Sequence, residues 1–298
     1  MPCLFVLLWA TGFIGAKLGL PHAPPFKFLL WRFVFVIALM TLLAWAVRAA
    51  WPRGVHIWHV AVAGLLLQAG YLGGVFVALD LGMPAGISAL IVGLQPILTA
   101  VYVATTSSSL GERVSPRQWA GFVLGLAGIA LVVSGKLGSG GVAGADGAGG
   151  FGWAAFAAVV IALLSITVGT LYQKRYCGAL DLRTQSVVQF IAAGALLLPL
   201  SLMFETRPVV WSGQFVFALG WLVLVLSLGA VSLLLVLLGR GAATRVSSLM
   251  YLVPPVTALV AWLVFDERLT LAAVAGMVLA AAGVALVAGA PANPRRAA

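Results

Sequence analysis

Charge is what this chain has least of: Asp, Glu, Lys and Arg together make up 8% of its 298 residues. A soluble domain carries about 25%, so too little charge is present to wet the surface of a globular protein. Acids are scarcest. The seven are Asp80, Glu112, Asp146, Asp181, Glu205, Asp266 and Glu267, and none falls in the middle of an apolar stretch. Hydrolysis or phosphoryl transfer needs paired acid–base groups or a metal cluster, and these positions assemble neither. His22, His56 and His59 lie at the edges of apolar stretches; the last two are spaced to share a helix face, but no third metal ligand follows. The chain therefore reads as a non-enzyme with no cofactor and no metal. Cysteine is nearly absent too. Cys3 and Cys177 are the only two, and Cys177 falls in a basic segment expected in the cytoplasm, so no disulfide framework is expected. Lys and Arg number 17 and give a net charge of +10, yet they stand in ones and twos without aromatic interleaving. Nucleic acid is not an expected partner.

What is present is apolar: 63% of residues are hydrophobic and the mean hydropathy is +1.14. A membrane span needs roughly 20 apolar residues, and stretches bounded by charge or by Pro and Gly fall at about 3–20, 27–47, 57–79, 86–106, 117–135, 151–173, 184–203, 213–238, 245–265 and 270–289. Ten spans leave no room for a separate soluble domain. The first stretch lacks a basic leader and a small-residue cleavage site, so it is expected to be retained as a span. Residues 136–150 (KLGSGGVAGADGAGG) form a low-complexity linker at the midpoint.

The two sides of that linker resemble each other. Ser88–Val103 lies over Ser247–Trp262, with Ser88 on Ser247, Leu90 on Leu249, Pro96 on Pro255 and Val101 on Val260. Glu112–Ser134 lies over Glu267–Gly289, with Glu112-Arg113 on Glu267-Arg268, Gly121 on Gly276 and Gly128 on Gly283. Shared composition alone does not place a charged pair, prolines and glycines in register. The expected fold is an all-α polytopic membrane protein of ten transmembrane helices, in two five-helix repeats over 1–135 and 151–298. An odd number of spans per repeat inverts the second copy. With both termini inside, the cytoplasmic loops hold Arg48, Arg53, Arg113, Arg117, Lys174, Arg175, Arg183, Arg240, Arg245, Arg295 and Arg296. The outer side holds Lys17, Lys27, Arg32, Lys136, Arg207 and Arg268. The excess inside supports that orientation, in the inner membrane of a bacterial cell.

Leu8-Trp9-Ala10-Thr11-Gly12-Phe13 with Lys17, then Arg32-Phe33, the Pro96 and Pro255 helices and the two Glu-Arg turns together resemble the EamA family of the drug/metabolite transporter superfamily. The likeness covers nearly the whole chain. It implies a ten-helix basket with an inverted repeat that exports small metabolites, often amino acids or their derivatives.

Polar residues inside apolar stretches are the candidate binding groups, because polar side chains facing lipid are costly. Ser88, Gln95, Thr99 and Tyr102 are spaced to share one helical face, beside a proline that frees a carbonyl. Gln68 and Tyr71 share a face of the third stretch; Trp9 and Thr11 come from the first, Ser165 from the sixth and Tyr251 from the ninth. Each has a bland counterpart, interhelical hydrogen bonding or interfacial anchoring. Gln185 and Gln189 read as helix glue. Arg32 is the deepest charge: it either snorkels to the outer headgroups or serves as an anion partner, for a substrate or for Asp80. Gly12, Gly15, Gly19, Gly121, Gly125, Gly128, Gly276 and Gly283 suit close helix packing. The partners implied are the lipid bilayer and a small-molecule substrate, for which a monomer suffices. A sugar-phosphate or other organic-anion carrier, and a non-transporting receptor or scaffold, are the alternatives.

Overall fold

A computed structural model describes residues 2–106, 116–137, 151–178, 180–230, 252–267 and 271–288. Regular structure there is helical throughout. The helices are α1 (Pro2–Gly19), α2 (Pro25–Ala46), α3 (Val55–Asp80), α4 (Ala85–Val92), α5 (Gln95–Thr106), α6 (Pro116–Leu137), α7 (Trp153–Tyr176), α8 (Leu182–Phe204), α9 (Gly213–Gly220), α10 (Val253–Phe265) and α11 (Leu271–Ala288). Four of them, α2, α3, α7 and α8, are long and apolar enough to cross a membrane; α9 to α11 and the α4–α5 segment are shorter apolar helices. Their outward faces carry large exposed apolar side chains, such as Leu42, Leu202, Phe204, Leu263 and Val278. Trp45, Trp51 and Trp58 lie exposed around the α2–α3 connection, and Trp153 and Trp211 are exposed at the starts of α7 and α9. That is the surface of a protein solvated by lipid and anchored at its interfaces.

The helix starts follow from local chemistry. Pro24-Pro25 opens α2, where a missing N–H costs nothing, and the Glu205 carboxylate takes the freed N–H groups of Phe26 and Lys27 at 2.6 and 2.9 Å. Asp181 caps α8 by accepting from the Arg183 N–H, and Ser212 caps α9 by accepting from Phe215. The apolar stretch expected as one helix over 86–106 is instead two: the chain leaves α4 at Gly93 and restarts α5 at Gln95. Pro96 is the reason, since a proline fits the first turn of a helix and not its interior.

Two backbones depart from α-geometry. Residues Leu65–Leu72 within α3 and Trp221–Ala230 continuing α9 are wound as π-helix. Such segments are rare and recur at functional sites.

An aromatic knot holds the centre. Phe28, Phe76 and Phe215, all at most 2% exposed, bring α2, α3 and α9 together, with Phe28 5.3 Å from Phe76 and 5.0 Å from Phe215. Small residues let other helices touch. A Cβ on Gly276 would stand 2.5 Å from the Gly128 carbonyl oxygen, and one on Gly283 the same distance from that of Gly121. So α6 and α11 run backbone against backbone. In the same way a Cβ on Gly64 of α3 would stand 2.5 Å from the Gln189 backbone of α8.

Candidate functional site

Arg32 sits on α2, 5% exposed, and does not reach for the surface. One guanidinium nitrogen donates to Ser227 Oγ on the π-segment of α9 at 3.3 Å, and the Tyr71 ring of α3 lies close enough to interact electrostatically. Arg32 Nε has no partner among the described residues. Snorkelling is thus not what this residue does: Ser227 holds it inward. Nor is Asp80 its counter-ion, because Arg207 takes both Asp80 carboxylate oxygens at 2.7 and 2.9 Å.

Gln68 lies three residues before Tyr71 on α3 and donates to Gln189 Oε1 at 3.3 Å. Gln189 is 4% exposed, and its own amide nitrogen has no partner among the described residues. Ser165 of α7 packs against Gly70, where a Cβ would come within 2.5 Å of its hydroxyl. Gln68, Tyr71 and Ser227 all ride on π-segments. Ser227 donates to the Leu222 carbonyl five residues back, as π-winding allows. Arg32, Tyr71, Gln68, Gln189 and Ser227 thus form one connected polar cluster, built by α2, α3, α8 and α9.

The other expected residues fall elsewhere. Thr11 donates to the Leu8 carbonyl at 2.6 Å and accepts from Trp221 Nε1 at 3.0 Å, pinning α1 to α9. Trp9 is partly buried against the core. Gln95 donates to Thr170 Oγ1 of α7 at 3.0 Å. The break at Gly93–Leu94 divides the four residues placed on one face of a continuous helix: Ser88 rides on α4, and Gln95, Thr99 and Tyr102 on α5. Ser88 is fully buried on α4 with an unpartnered hydroxyl, Thr99 is half-buried on α5, and Tyr102 is 52% exposed. Tyr251 lies outside the described residues. Gln185 does act as glue, donating to the carbonyls of Cys177 and Leu180. Lys17 forms an ion pair with Glu267 rather than turning to the headgroups.

Sequence reasoning missed Ser227 and Thr170. Ser227 could have been found as a rare polar residue in the long apolar stretch 213–238. Thr170 hides because its hydroxyl also bonds to the Ile166 carbonyl, as a bland helical threonine does. Among the described residues no three His, Cys, Asp or Glu side chains converge to hold a metal. A crevice between α4, α10 and α11 is lined by Leu90, Pro254, Met277 and other apolar groups, and offers nothing to orient a polar ligand.

Known proteins share this architecture. A solved crystal structure superposes with a TM-score of 0.59 at 23% identity, over 96% of this chain and 94% of its own. An uncharacterized transporter of Archaeoglobus fulgidus is 29% identical over 95% of this chain and 94% of its own length. The uncharacterized transporter YvbV of Bacillus subtilis is 26% identical over 95% and 88%. A protein of Escherichia coli named "Probable amino-acid metabolite efflux pump" is 26% identical over 94% and 91%. The EamA-like transporter family matches residues 1–134 and 153–289. The chain, an all-helical membrane protein with a polar cluster buried among its helices, belongs to the EamA-like transporter family.

Proposed function

We propose that the protein exports small metabolites, amino acids or their close derivatives, across the bacterial inner membrane. One observation carries this: a buried arginine that lacks a carboxylate partner among the described residues, clustered with hydrogen-bonding side chains from three other helices. An uncompensated buried charge costs several kcal/mol, and an ionisable group inside a membrane is by default functional. A small amphiphile with one carboxylate offsets that cost when it binds. The efflux-pump name of the E. coli relative points the same way.

The architecture we propose is ten spans in two inverted halves, 1–135 and 151–298, with both termini in the cytoplasm. The glycine contacts support it. Under the sequence correspondence Gly121 to Gly276 and Gly128 to Gly283, the contact Gly128–Gly276 turns into Gly283–Gly121, which is the other contact observed. Pairs that interchange in this way are what a two-fold axis produces. The two π-segments also fall on the third helix of each half. Alternating access would then work by rocking one half against the other.

Substrate groups are assigned to Arg32, Tyr71, Gln68 and Ser165, with Gln95, Thr99, Ser88, Trp9, Thr11, Tyr102 and Tyr251 along the path. A sugar phosphate suits the site less well. Phosphate wants two or more convergent cations, and Lys17 is committed to Glu267. The test is a metabolite profile of medium from cells overexpressing the protein, against Tyr71→Ala and Gln95→Ala variants of equal expression. Amino acids accumulate outside with the parent and less with the variants. An unchanged medium ends the proposal.

A further inference from the structure

Two buried donors in the cluster have nothing to bond among the described residues. Arg32 Nε and the Gln189 amide nitrogen are unpartnered, on side chains 5% and 4% exposed. They belong to packed neighbours. Phe33 and Phe190, the next residue along each helix, stand ring to ring at 5.0 Å, so Arg32 and Gln189 lie at the same level of α2 and α8. Gln68, which holds Gln189, and Tyr71, which lies near Arg32, ride on the same π-segment of α3. The orphaned donors thus belong to helices packed at one level, and the charge there is positive.

Among the described residues nothing negative answers it. Of the seven acids, Asp80 is bound to Arg207, Glu267 to Lys17, and Glu205 to the first N–H groups of α2. Asp181 caps α8, and Asp266 lies in the turn after α10. Glu112 and Asp146 fall between apolar stretches of the sequence. A carboxylate fits two vacant donors, one of them cationic. An ammonium finds no opposite charge there among the described residues.

We propose that this site reads the carboxylate of its ligand and is largely indifferent to the ammonium. Its substrates are small monocarboxylates: amino acids together with their N-acyl and 2-oxo counterparts, and not amino-acid amides. This rests on the cluster being where the transported metabolite binds. Gln189 is then a specificity-determining residue, and Ser227 a positioning one that holds the guanidinium.

The test is equilibrium binding to the purified full chain in lipid nanodiscs, by calorimetry, in a chloride-free buffer. The probes are L-leucine, N-acetyl-L-leucine, 4-methyl-2-oxopentanoate and L-leucinamide, repeated with the phenylalanine set so that no one side chain decides. The three carboxylates bind alike within a few-fold, and the amide at least about tenfold more weakly, as loss of a charge-assisted hydrogen bond requires. Gln189→Glu supplies an internal carboxylate beside Arg32. It abolishes carboxylate binding while raising the unfolding temperature, a pairing that a merely structural glutamine does not give. Amides binding as well as acids, no acid binding at all, or Gln189→Glu binding acids like the parent each overturn the inference. Acids that bind but are not exported leave it standing and remove the export function instead.

Discussion

Lys17 and Glu267, 250 positions apart, form an ion pair that ties the end of α1 to the turn after α10. Glu267 also accepts from the Ala85 N–H at the start of α4 at 3.4 Å, and Lys17 lies over the Phe265 ring. At the same end Arg207 grips Asp80, and Lys27 donates to the carbonyls of Glu205 and Arg207. Among the described residues both ion pairs between helices lie at this end. The opposite end is joined by neutral bonds, such as Thr184 to the Ala50 carbonyl at 2.9 Å and His59 with Tyr172 at 2.8 Å. Among the described residues one mouth of the bundle is latched by ion pairs and the other is not.

The proposed alternating-access cycle requires this latch to open. With Lys17→Cys and Glu267→Cys joined by a short bifunctional thiol reagent, export stops, and cleaving a reducible linker restores it. Export that continues in fully cross-linked protein shows that this end does not move. Glu267→Gln alone leaves Lys17 half-buried without its counter-charge and costs about 1–3 kcal/mol, read as a lower unfolding temperature. Lys17→Glu with Glu267→Lys recovers part of that loss.

The glycine seam gives a sharper stability prediction. Gly276→Ala puts a methyl 2.5 Å from both the Gly128 oxygen and Val132 Cγ2, where backbone rather than a flexible tip must move. Overpacking of this kind costs about 1–3 kcal/mol. Gly220 has open space where its Cβ would go. Gly220→Ala in α9 is therefore neutral or stabilising, by up to about 1 kcal/mol. Equal losses of unfolding temperature for the two variants would mean that α6 and α11 do not meet as described.

Much of this was legible beforehand, and the limits have physical causes. Long apolar stretches ended by Pro, Gly or charge mark helices in any lipid-solvated chain, and α2, α3, α7 and α8 lie close to where those stretches put them. The spacing of Gly121, Gly128, Gly276 and Gly283 announced a close seam. Pro96 sits just after the α4–α5 break, which counting residues along an unbroken helix passed over, so Ser88 and Tyr102 lie on two helices rather than one. Arg32 could be seen to be deep, while its direction is set by Ser227, 195 positions away. Periodicity of 3.6 also assumes α-winding, so neither π-segment, nor the way each re-aims Tyr71 and Ser227, could be read from it.

Arg32 separates stability from function. Replacing a buried, uncompensated cation with an apolar residue of similar length removes its desolvation cost. Arg32→Met raises the unfolding temperature, in contrast to most substitutions of a buried residue, and abolishes export. A variant that loses stability shows that Arg32 serves the fold; one that still exports shows that it does not touch the substrate.

The inverted arrangement is tested by access from each side. Residues 136–150 follow the fifth helix of the first half, and 289–298 the fifth helix of the second, so an inverted repeat puts them on opposite faces of the membrane. Cysteines at Ser139 and Ala297, each in a Cys3→Ser background, therefore respond oppositely to an impermeant maleimide applied to intact cells: Ser139→Cys is labelled and Ala297→Cys is not. Cys177 can be left in place. It is 1% exposed beneath Tyr172, Leu180 and Val188, and burial pushes its thiol above the ordinary range. The thiolate is the nucleophile, so at neutral pH a raised, covered thiol stays silent, and its labelling appears only as pH rises or the protein unfolds. Permeabilising the cells then brings Ala297→Cys up to the labelling of Ser139→Cys while Cys177 remains dark. Equal labelling of both positions in intact cells places the two ends of the repeat on one side and rules out inversion.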